Sequence, residues 1–198
     1  PVMDLMTYYA HQAEHLLKKE KIKLGKWTFL GHQSYLEYEP WGVVGVISPW
    51  NFPFSIPTGG VVMALMVGNT VILKPSEYTP LIGQKIVELF WSAGVPRDVL
   101  QIIHGDGKIG ASLIKGGVDK ILFTGSVPTG KKIMAVAAES LTPVTLELGG
   151  KDPMIVTETA DLELASSATV WGAFCNSGQV CASIERVYVH ESIAKPFT

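Results

Sequence analysis

Gly42-Val43-Val44-Gly45-Val46-Ile47-Ser48-Pro49-Trp50-Asn51-Phe52-Pro53 is the stretch that decides the fold. Its first six residues carry no polar side chain and do not alternate polar with apolar. Such a run reads as a strand buried on both faces, the mark of a parallel sheet covered by helices. Ser48-Pro49 stops it, because proline has no N–H to continue a ladder. Downstream, small residues at 53–67 predict a helix, and Thr70-Val71-Ile72-Leu73 predicts a second buried strand. A helix over 81–93 is ended by Gly94 and Pro96. Strands over 99–103, 120–123 and 144–148 then alternate with helices over 109–115 and 129–140. Five strands with intervening helices predict an α/β fold: an open, mostly parallel, doubly wound five-stranded sheet with right-handed crossovers.

Upstream, apolar Met6, Tyr9, Ala10, Ala13, Leu16 and Leu17 recur at helical spacing and predict a helix over 3–19. Residues 27–38 mix aromatic and polar side chains and read as extended. After Gly149-Gly150 a new unit begins, with a strand over 153–156, a helix over 162–174, a loop, and a strand over 186–190. The expected organisation is a first domain over 1–150 and the start of a second α/β domain over 151–198.

Composition narrows the function. The chain has 198 residues, 47% of them hydrophobic and 17% charged, with a net charge of −2. That apolar content supports a packed core, and the scattered charges give no footprint for nucleic acid. The basic run Lys18-Lys19-Glu20-Lys21-Ile22-Lys23 reads as a solvated helix end. No apolar stretch approaches the ~20 residues of a membrane span. The two cysteines, Cys175 and Cys181, make no disulfide framework and have no histidines at metal-ligand spacing. With no basic-then-apolar leader, the cytoplasm is the expected compartment. Pro1 is not an initiator methionine, so the chain is expected to start inside a longer protein or to have been processed.

In open parallel sheets, ligands sit beyond the carboxyl ends of the strands. The unusual segments fall there. Ser48 to Pro53 follows the first strand, Lys74-Pro75-Ser76-Glu77 the second, His104-Gly105-Asp106-Gly107 the third, and Thr124-Gly125-Ser126-Val127-Pro128-Thr129-Gly130 the fourth. The last opens a helix, whose free N–H groups suit an anion. Gly105-Asp106-Gly107-Lys108-Ile109-Gly110 matches dinucleotide-fingerprint spacing, but among 20 glycines such a match is cheap. Lys74 and Glu77 fit a ribose or phosphate contact equally as well as a surface ion pair, with Pro75 and Ser76 capping a helix.

Taken together, five motifs resemble the aldehyde dehydrogenase superfamily. They are Pro49-Trp50-Asn51-Phe52-Pro53, Lys74-Pro75-Ser76-Glu77, Phe123-Thr124-Gly125-Ser126, Leu146-Glu147-Leu148-Gly149-Gly150-Lys151 and Gly178-Gln179-Val180-Cys181. The resemblance implies that 1–150 is an NAD(P)-binding domain with an N-terminal helix and extended segment, and that 151–198 opens the catalytic domain. It implies Cys181 as the nucleophile that attacks an aldehyde, and the Asn51 amide with the Cys181 N–H as an oxyanion hole. Glu147, flanked by leucines after a buried strand, is implied as the general base, with partial desolvation suiting it to that task. Cofactor contacts are implied at Ile47, Ser48, Pro49, Trp50, Lys74, Ser76, Glu77, Gly105, Gly107, Gly125, Ser126, Gly130 and Leu148. Glu77 would repel a 2′-phosphate, which favours NAD over NADP.

The family's later Glu-x-Phe-Gly-Pro segment and most of its aldehyde tunnel are missing, so the chain is expected to be part of a longer, homo-oligomeric enzyme. The competing expectation is a non-catalytic, cofactor-binding or structural fragment. A cysteine hydrolase is the weakest reading, since none of the five histidines lies in a motif that would activate the thiol.

Overall fold

The computed structural model describes residues 2–25 and 31–198. Helix α1 (Val2–Leu16) leads into a small antiparallel ribbon of β1 (Glu20–Ile22) and β2 (Ser34–Leu36). The main body then alternates β3 (Val43–Ile47), α2 (Ser55–Met66), β4 (Thr70–Lys74), α3 (Pro80–Ser92), β5 (Leu100–Ile102), α4 (Gly107–Lys115), β6 (Lys120–Gly125), α5 (Val127–Ala138) and β7 (Val144–Leu148). A second unit follows with β8 (Asp152–Val156), α6 (Leu162–Phe174), β9 (Ile184–Val189) and α7 (Ala194–Phe197).

The five-stranded sheet has the order β5-β4-β3-β6-β7, and every neighbouring pair is parallel. From β3 the chain winds outward through β4 and β5, then returns to the other side of β3 for β6 and β7. The order therefore reverses between β3 and β6, the position at which doubly wound sheets open a ligand crevice. Strand alternation divides the core in two. Val44, Val46, Val71 and Leu73 pack under Val61 and Ala64 of α2 and Ile86 and Val87 of α3. Ile47, Ile121 and Phe123 pack on the opposite face, under Leu113 and Ile114 of α4 and Ile133 and Ala137 of α5. Both faces are thus apolar, as the unalternating strand sequences require.

The glycines of α2 have a packing reason. A Cβ on Gly60 would lie 3.0 Å from Cγ1 of Val46, so the helix sits close on β3. The second unit has a sheet of its own: β8 and β9 form a two-stranded parallel sheet, joined through α6.

One expectation needs correction. The basic run at 18–23 is not a helix end, because α1 stops at Leu16 and residues 20–22 form a strand. Lys19 pairs with Glu37 and stands over the Tyr35 ring, so cross-ribbon contacts outweigh helical continuation. Of the extended segment expected over 27–38, residues 34–36 form β2, while 27–30 lie outside the described residues.

Candidate active site

A cleft of about 720 Å³ opens at the carboxyl ends of β3, β4 and β6, between α4 and α5. Ile47, Ser48, Pro49 and Trp50 line it from β3, Lys74, Ser76 and Glu77 from β4, and Gly125 and Ser126 from β6, with Gly107 at the start of α4. Three of the expected cofactor residues lie outside this lining. Gly130 and Leu148 face each other instead: a Cβ on Gly130 would come 2.9 Å from Cδ2 of Leu148, so this pair seats α5 on β7. Gly105 adopts φ +145°, and a Cβ there would meet Ile109 at 2.4 Å. Its role in the fold is to turn the chain between β5 and α4.

Lys74 is the unusual group. It ends a buried strand, is 3% exposed and lies under α4, with its stem 3.7 Å from the Cβ direction of Gly110. The ammonium donates to the Pro75 carbonyl at 3.0 Å and faces the Glu77 carboxylate at 3.7 Å. Burial pulls its pKa below the ordinary lysine value, against the opposing pull of Glu77 and then Asp106. Next to it, the Ser48 hydroxyl is buried with no hydrogen-bond partner among the described residues. The helices that close the cleft are capped at this end. Asp106 accepts from the Lys108 N–H at 2.9 Å, and Ser126 accepts from the Thr129 N–H at 3.4 Å.

The thiol lies on a separate loop. Helix α6 ends at Phe174, and residues 176–178 turn left-handed, with φ of 51°, 58° and 75°. The turn delivers Gln179-Val180-Cys181 to the end of β3. There the Asn51 side-chain amide donates to the Gln179 carbonyl at 2.9 Å, and the Asn176 amide donates to the Asn51 carbonyl at 3.0 Å. Cys181 is exposed and free, whereas Cys175 is half-buried at the helix end. Among the described residues, no backbone acceptor faces the Cys181 N–H.

Glu147 does not meet its expected environment. It is exposed, because β7 is an edge strand and turns Val144, Leu146 and Leu148 toward α5 and Glu147 the other way. The flanking leucines therefore do not desolvate it. Sequence reasoning also missed Asn176, as well as Tyr78, Asp106 and Lys132 of the cleft wall. Asp106 was findable as a helix cap before Gly107. Asn176 had a weaker signal, an Asn-Ser-Gly turn whose first residue tolerates positive φ.

No helix among the described residues is long and apolar enough to cross a membrane, and no cluster of three or more metal-ligating side chains occurs among them.

Known proteins match along the whole chain. The model of the aldehyde dehydrogenase family matches residues 1–198. The chain is 46% identical to 4,4′-diapolycopene aldehyde oxidase of Methylomonas sp over all of its own length and 37% of that protein's. It is also 46% identical to peroxisomal aminoaldehyde dehydrogenase 1 of Pisum sativum, over 99% of this chain and 39% of that one. The crystal structure of lactaldehyde dehydrogenase from Escherichia coli superposes with a TM-score of 0.91 at 40% identity, over 99% of this chain and 41% of that one. The chain thus spans about two-fifths of the length of these relatives, and over that span it belongs to the aldehyde dehydrogenase family.

Proposed function

We propose that the protein carrying this chain oxidises an aldehyde to its carboxylic acid with a nicotinamide dinucleotide, through covalent attachment to Cys181. The observation that carries this reading is the Asn51–Gln179 hydrogen bond. It joins the motif at the end of β3 to the thiol loop across 128 residues of sequence. The Cys181 thiolate attacks the carbonyl carbon, forming a C–S bond and moving the π pair onto oxygen. The free N–H of Asn51 and that of Cys181 stabilise this oxyanion; such donors contribute on the order of 3–4 kcal/mol each. A bound nicotinamide supplies the hydride acceptor. Collapse of the oxyanion leaves a thioester on Cys181. Glu147 takes a proton from water as its oxygen attacks the thioester carbon, and the C–S bond breaks to release the acid and restore the thiolate.

Family members use NAD or NADP, and the cleft fits a dinucleotide. Its volume and the small Gly110 and Ala111 on one wall suit a ribose–phosphate chain. Lys74 and Glu77 would hold the adenine-side ribose, and the Glu77 carboxylate favours NAD over NADP. Ile47 to Trp50, Ser76, Gly107, Gly125 and Ser126 would complete the cradle. We place the domain boundary at Gly149-Gly150, the oligomeric assembly in the remainder of the protein, and its compartment in the cytoplasm.

The test is reduced-nicotinamide absorbance with NAD or NADP and a panel of aldehydes. Turnover lost in Cys181→Ser, and a single burst without steady turnover in Glu147→Gln, are expected. Undiminished activity in Cys181→Ser overturns the nucleophile assignment. A need for coenzyme A in place of water overturns the role of Glu147.

The exposure of Glu147, Cys181 and the apolar outer face of α6 favours a second reading for this length of chain alone: it binds the dinucleotide without turnover. Saturable NAD binding by the 198-residue chain, with no aldehyde-dependent absorbance, is its signature.

A further inference from the structure

The Gln179 carbonyl accepts from two side-chain amides, Asn51 Nδ2 at 2.9 Å and Asn176 Nδ2 at 3.4 Å. The Asn176 amide also donates to the Asn51 carbonyl at 3.0 Å. Each of these contacts ends on a carbonyl oxygen, so the nitrogen of each amide must be the atom that faces it. The donor count is then fixed. Both hydrogens of the Asn176 amide are used, and one of the two on Asn51 is used. The remaining Asn51 N–H lies in the plane of that amide, which the Gln179 carbonyl and the Asn176 bridge hold together.

We infer that Asn176 is a positioning residue: by bridging the Asn51 and Gln179 carbonyls, it closes a ring that aims the free Asn51 N–H at the oxygen of the thiol adduct. This rests on the reading of Cys181 and Asn51 given above. The backbone of the loop supports it. Asn176 sits at φ 51°, which excludes most residues, and Asn combines tolerance of that conformation with a two-donor side chain. Asp would fit the same backbone but would set a carboxylate against two carbonyl oxygens. Gly would keep the backbone and remove the amide.

A double-mutant cycle in the full-length protein with its cofactor tests the ring. Asn51→Ala is expected to lower kcat by about 10²–10³-fold. Asn176→Gly should lower kcat by about ten- to a hundredfold, with KM changed by less than about twofold. The double variant should fall within about twofold of Asn51→Ala alone, since the bridge has nothing left to aim. Multiplying losses, an unchanged kcat in Asn176→Gly, or an effect confined to KM would overturn the inference. Should Asn176→Gly unfold at the assay temperature, Asn176→Asp takes its place with the same expected kcat loss and the same overturning outcomes. A crystal structure of the chosen Asn176 variant gives a readout independent of turnover. The Asn51 amide should leave the Gln179 carbonyl, and its retention there would count against the ring. If Cys181→Ser keeps wild-type activity, the nucleophile reading falls, while the crystal structure still decides the bridge.

Discussion

At the scale of single residues, Lys74 combines a cost to the fold with a place in the cleft lining. Burial lowers its pKa in the folded chain below the ordinary 10.5. Between those two values the unfolded chain binds more protons than the folded one, so stability rises with pH there. Below the folded pKa the ammonium is buried in its charged form, and the full penalty applies. Lys74→Met is therefore expected to be more stable than the parent at neutral pH, with the gap narrowing as pH climbs through the folded pKa toward 10.5. Urea midpoints at neutral and alkaline pH check this. If Lys74 holds the ribose as proposed, the same substitution should raise the KM for NAD several-fold, since a stabilising change at a binding group commonly weakens function. The placing of candidate residues was unevenly legible in the sequence. Cys181, Asn51 and Lys74 stood out because they follow strand ends in dense motifs. The exposure of Glu147 was not legible, because flanking leucines say nothing about which strand forms the sheet edge.

At the scale of elements, the loop after β4 depends on how closely α3 approaches it. A Cβ on Gly83 would lie 2.5 Å from both Cβ and Cγ of Pro75, and a proline ring cannot rotate away. Gly83→Ala gains helix propensity of about 1 kcal/mol. The overpacking it creates costs about 1–3 kcal/mol. The net expectation is a lower urea midpoint together with weaker NAD binding, because Pro75 connects Lys74 to Ser76 and Glu77. Stabilisation with unchanged NAD affinity would show that α3 shifts without disturbing the loop. The strands and helices of the main sheet were legible to within a few residues because their apolar runs are long and bounded by Gly and Pro. The β1–β2 ribbon was legible only in part: β2 lies within the segment read as extended, but β1 lies in a run read as a helix end. Its three-residue strands are exposed and held by contacts between side chains distant in sequence, which local periodicity does not encode.

At the scale of the molecule, the main sheet is covered on both faces but the second unit is not. Trp171 and Phe174 on α6 are 73% and 71% exposed, and Leu164, Val170 and Ile155 lie in the open with them. Apolar exposure of this kind marks a surface made for contact. The 198-residue chain by itself should bind a hydrophobic dye strongly, and Trp171→Gln should reduce that signal while shifting stability by no more than about 0.5 kcal/mol. Dye binding unaffected by this change would place the sticky surface elsewhere. The Asn51–Gln179 hydrogen bond also sets a schedule. Its partners stand 128 residues apart, and at roughly 5–20 residues per second of synthesis the ribosome delivers them some 6–25 s apart. The sheet that carries Asn51 can be complete before the thiol loop is translated, so the nascent cysteine emerges beside a partner already standing in place.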